Sequence, residues 1–206
     1  CASGWHIWTA EHGRSGDTAG HDRVPRDPLR LGALQAWEHA WQHARVIDLT
    51  RSLRHLAWAD ARLFEDLAAL PPEALEARYS PDAWTVGHLA MHIVGGAEWY
   101  AYCLAGTPWT DLEIPTGPDD LRGLARHLAE LDALLLEQAA LPDELVEFVD
   151  EDGPRSALRS TILSQACLHS AEHRAQIACA LEVTGHRGVT LDDYDLWAFE
   201  AHERSE

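Results

Sequence analysis

The 206-residue sequence predicts an all-α protein, a four-helix bundle with a small β-hairpin before its last helix. Three observations carry that expectation. Four long stretches place leucine, isoleucine, valine and alanine at steps of three, four and seven, the spacing of one helix face. Proline and glycine punctuate the chain between them. One short stretch, Leu145-Val146-Glu147-Phe148-Val149, alternates instead and runs into Asp152-Gly153, which reads as a strand entering a tight turn.

Residues 1–45 differ from the rest, mixing Gly, Ser, Arg, Asp and His with Trp5, Trp8, Trp37 and Trp41. They read as an N-terminal arm with a short helix over 31–44, and they lack the charged start and apolar stretch of a secretory signal. The bundle is expected over 46–200, with 201–206 as a tail. Its first helix spans Val46 to Leu70, where Leu49, Leu53, Leu56, Leu63 and Leu67 form the stripe and Asp60 is expected at its edge. Pro71 and Pro72 stop it, and Pro72 to Leu75 makes a short turn of helix.

The second helix spans Thr85 to Leu104, with Thr85 as its cap and Gly106 at its end. Gly95 and Gly96 weaken it and open room for a neighbouring helix or a ligand. The third spans Pro118 to Ala140, with His127 at its rim. The fourth spans Ala157 to Val183, free of proline and glycine, with Gly185 after it. Tyr194, Trp197 and Phe199 then give the tail an apolar side that packs back on the bundle.

Composition excludes some functions. The net charge is -18, and all 16 basic residues are arginine. Binding to nucleic acid rests on cationic side chains that neutralise phosphates, so this surface argues against a DNA or RNA partner. No apolar run approaches the roughly 18 residues that span a bilayer, so no membrane partner is expected. Cys103, Cys167 and Cys179 lie in apolar helical runs without a Cys-x-x-Cys spacing. They read as buried free thiols, which fits a cytoplasmic protein.

The chemistry lies in the histidines. His169 and His173 are four apart on the fourth helix, on one face and within reach of a single metal ion. Gln165, Gln176 and Ala180 fall on nearly the same stripe. His88 and His92 have the same spacing on the second helix, and His39 and His43 repeat it in the arm. Neutral imidazoles suit zinc, nickel or iron as divalent ions. Three of them with one open position make the usual catalytic arrangement. Such a centre activates a water or a thiol. Neither Glu-x-x-His on two helices nor His-Glu-x-x-His is present, which disfavours a dimetal bundle and a zincin.

The combination Trp84-Thr85-Val86, then His92, then His169-x-x-x-His173-Arg174-Ala175-Gln176-Ile177 resembles the DinB/YfiT-like metal-binding superfamily. The run His55 to Asp60, the Leu70-Pro71-Pro72-Glu73 turn and the tail from Asp192 to Ala198 resemble it too. The resemblance implies a metal held by His92, His169 and His173, and so selects His92 over His88. It implies a homodimer and a small-molecule substrate, among them low-molecular-weight thiols, handled by hydrolase or thiol transferase and isomerase chemistry. No catalytic residue is assigned; Gln176 and Glu172 are placed to orient the ligands, and Glu172 reads equally as a solvated helix residue. The competing expectation is a non-catalytic bundle that binds a metal or a small molecule.

Overall fold

The structure is a computed structural model and describes residues 49–205. Helix α1 covers Thr50–Ala69, α2 Val86–Ala105, α3 Pro118–Ala139 and α4 Arg159–Val183. Strands β1 (Leu145–Asp150) and β2 (Gly153–Leu158) form an antiparallel hairpin between α3 and α4, and α5 (Leu196–Glu203) closes the chain. The expected short helix over 31–44, the pair His39 and His43, and the first residues assigned to the first helix lie outside the described residues.

The local signals explain these boundaries. Thr85 caps α2, its Oγ1 accepting the His88 backbone N–H at 3.0 Å. Gly106 ends α2 with φ 68°, where a side chain is strained. Pro118 occupies the first position of α3, where a missing N–H costs nothing. Helix α4 starts two residues later than its apolar period suggests. Ala157 and Leu158 are held in β2 opposite Val146 and Leu145, so strand pairing overrides helical periodicity there.

Helix α1 packs mainly on α3, and α2 mainly on α4, while α2 also faces α3. Going round the bundle, the order is therefore α1, α3, α2, α4. The segment from Leu70 to Thr85 must cross the end of the bundle, and the hairpin bridges a second diagonal, from α3 to α4.

The core is leucine-rich. Leu53, Leu63 and Leu67 of α1, Leu89 and Ile93 of α2, Leu121, Leu128 and Leu135 of α3, and Ile177 and Leu181 of α4 are almost wholly buried. Each such side chain contributes about 1.5–3 kcal/mol by leaving water. The tail packs back in part: Tyr194 and Phe199 are buried, the Phe199 ring 5.5 Å from that of Trp58, while Trp197 is 80 % exposed and does not join them. Arg51 of α1 binds Glu203 of α5 at 3.0 Å.

Midway along the bundle the apolar stripes turn polar. Asp60 of α1, Asp132 of α3, and Ser170, His173 and Arg174 of α4 are all buried. This corrects the expected edge position of Asp60, which is 1 % exposed. A carboxylate can occupy that place because Arg174 and Ser170 both donate to its Oδ1. The cysteines need a smaller correction: Cys103 is buried and Cys167 half-buried, but Cys179 is exposed.

Candidate metal centre

His169 and His173 share one face of α4, and α2 brings His92 to meet them. His169 Nε2 lies 3.2 Å from His92 Nε2 and 3.2 Å from His173 Nε2. The donor atoms of all three lie within 4.8 Å of one another, the spacing of a group that could hold one ion. Two nitrogens on a tetrahedral zinc are about 3.3 Å apart, given zinc–nitrogen bonds near 2.05 Å. The two shorter separations already match that geometry.

Helix packing permits this convergence at Gly96. A Cβ there would stand 2.3 Å from His169 Cε1 and 2.6 Å from Nδ1. The imidazole therefore lies directly against the α2 backbone, in space any other residue would fill. The glycine pair suggests close approach of some neighbour; the fold shows that the neighbour of Gly96 is His169.

The electrostatics keep the rings available as ligands. Burial pushes the His92 pKa down to about 4 and that of His169 to about 3, with the neighbouring imidazoles adding to both shifts. Burial also lowers His173, against a hydrogen bond to Gln176 that raises it. These shifts favour the neutral imidazole at pH 7, the form that ligates a cation. His173 Nδ1 donates to Gln176 Oε1 at 2.8 Å, which leaves Nε2 as the coordinating atom.

His88 stays apart from this group. Its ring stacks on Trp84 with centroids 4.5 Å apart and planes 8° from parallel. Trp84 also meets His92 edge-on at 4.7 Å and is 43 % exposed, so it forms an aromatic wall beside the cluster. Glu172 is exposed on α4. Gln165 is exposed too and hydrogen-bonds Tyr100. His127, at its expected rim position, binds the buried Glu98 at 2.8 Å.

A buried polar group adjoins His169. Ser170 Oγ donates to Asp60 Oδ1 at 2.5 Å, and Arg174 Nη1 donates to Ser170 Oγ at 2.7 Å and to Asp60. Burial raises the Asp60 carboxyl, with Arg174 opposing the shift. Asp132 is pushed well above the usual carboxylate range by burial and by the Asp60 charge. Sequence reading passed over Asp132. Its signal was present, since it stands four residues after Leu128 and three before Leu135, within the apolar stripe.

Fold and cluster together define a helical bundle in which three histidines from two helices form a group that could hold a metal ion. The family model described as the DinB family matches residues 42–204, and the chain belongs to that family. A DinB-like protein from Bacillus cereus is similar in fold, at 19 % sequence identity and a TM-score of 0.50, over 77 % of this chain and 94 % of that one. No curated protein sequence matches the chain.

Proposed function

We propose that the protein is a metal-dependent enzyme in which His92, His169 and His173 hold a divalent zinc, nickel or iron ion. Its substrate is a small molecule, attacked by water or by a low-molecular-weight thiol, in hydrolase or thiol transferase and isomerase chemistry. The observation that supports this most is the meeting of three neutral Nε2 atoms at ligand spacing.

The donor set fits such an ion: three imidazoles leave at least one position for an exogenous group. A bound divalent ion supplies Lewis acidity there, making water or thiol nucleophilic near neutral pH. The chain's own residues set the conditions. Gln176 fixes the His173 ring and its tautomer through Nδ1. Gly96 lets His169 reach the cluster. Trp84 offers a flat apolar face beside His92, on which the hydrocarbon part of a substrate can rest while water is excluded.

Metal analysis of untagged protein tests the reading. We expect close to one equivalent per chain after loading with zinc, nickel or iron, and loss of that metal in His92→Ala, His169→Ala and His173→Ala. Wild-type protein that takes up almost none of the three ions would end the proposal. A metal-loaded protein without metal-dependent turnover of thiol conjugates, epoxides or esters would leave a non-catalytic binding bundle.

A further inference from the structure

A small cavity lies between α1, α2, α3 and α4, lined by Asp60, Asp132, Ser170, Tyr100 and His169 together with apolar side chains. It offers about 10 Å³ to the centre of a water molecule, the room needed for one. Asp132 lines it and is only 4 % exposed, yet its Oδ1 meets no hydrogen-bond partner. A buried oxygen left in that condition has lost its hydration with nothing in return, so a partner is strongly favoured.

His169 lines the same cavity. Its contacts within hydrogen-bond distance, to His92 and His173, both run through Nε2. A metal-ligating imidazole ordinarily donates its other N–H to a carboxylate, carbonyl or water. His173 has Gln176 for this purpose. For His169 the polar groups lining the cavity are Asp60, Asp132, Ser170 and Tyr100.

We propose that this cavity is a binding site for a single internal water, and that Asp132 acts through it as a positioning residue for His169. The water accepts from the His169 ring and joins Asp132 Oδ1. The Asp60–Arg174–Ser170 group holds the far wall, so Asp132 is the side chain whose loss empties the site of its anchor. The positioning role rests on the metal-binding reading; the water site does not.

The test compares wild type with Asp132→Asn and Asp132→Leu as full-length, metal-free chains. A high-resolution crystal structure is expected to show one water on residue 132 in wild type and in D132N, and none in D132L. Nitrogen-15 NMR is expected to place the His169 proton on Nδ1 in the first two and to lose that preference in D132L. Zinc affinity, read by chelator competition, is expected to fall about tenfold or more in D132L and to recover in D132N. A wild-type map without the water overturns the site, and this readout stands even if D132L fails to fold. Water present but zinc affinity and His169 tautomer unchanged in D132L overturns the positioning role. A wild type that binds no zinc, nickel or iron overturns that role and the metal reading, while the map still decides the water site.

Discussion

At the scale of single residues, Gly96 and Asp132 make the sharpest predictions. Gly96→Ala puts a methyl group where His169 Cε1 and Nδ1 lie. The imidazole is the free end of a side chain and can swing away, and alanine favours helix over glycine by about 1 kcal/mol. We therefore expect G96A to fold with unchanged or slightly higher thermal stability and to lose at least tenfold in metal affinity, because a displaced ring no longer completes the set. Circular dichroism and a metal-competition titration measure the two effects separately. A variant that binds metal as wild type does would show that His169 is not required to lie against α2.

Asp132 makes a prediction in pH. Its folded pKa is raised, so between pH 4 and that raised value the folded protein holds a proton that the unfolded chain releases. Stability is then lost as pH rises through this window. Asp132→Asn does not titrate, so its melting temperature is expected to exceed that of wild type by a margin that widens from pH 5 to pH 8. The facing titratable and charged groups are Asp60, Arg174, Tyr100 and His169. The lowered histidines act oppositely: metal-free protein loses stability as pH falls from about 6.5 toward 4, where the unfolded chain protonates them first. Melting curves of both proteins across pH separate the two slopes. A constant margin would mean that Asp132 is ionised in the fold.

At the scale of elements, α2 depends on its ends. The Thr85 hydroxyl satisfies the His88 N–H at the start of the helix that carries His92. Thr85→Ala is expected to cost about 1 kcal/mol. In a domain of this size that lowers the melting temperature by about 2–4 °C. Serine at the same position should restore most of it, since the hydroxyl alone makes the bond. The hairpin illustrates an element that sequence reveals easily: alternation over Leu145–Val149 and Asp152-Gly153 specify a turn by local chemistry. Its length also displaces the start of α4, which is a matter of pairing between strands and so invisible to a helical period.

At the scale of the whole molecule, the proposed metal binding would be coupled to folding, since an ion held between α2 and α4 would bind the folded chain and not the unfolded one. At a free concentration a hundred times the dissociation constant it adds about 2.7 kcal/mol. We expect zinc, nickel or ferrous iron to raise the melting temperature by several degrees in wild type and not in His92→Ala. An equal shift in both would place the ion elsewhere. We also expect two chains per particle, and static light scattering that gives the mass of one chain would exclude the dimer. Among the described residues no helix is long and apolar enough to cross a membrane.

Much of this protein is written locally. Helix periods, proline and glycine stops, the Thr85 cap and the turn before Gly153 follow from interactions between residues close in sequence, so they are legible without a fold. His169 and His173 belong to this group, because helical spacing alone places them together. Their meeting with His92, 77 positions away, depends on α2 packing against α4 and on Gly96 making room. The burial of Asp60 with Arg174 depends likewise on α1 lying beside α4 in the bundle. Contacts of that kind join chemistry on different helices, and sequence spacing carries no record of which helix faces which.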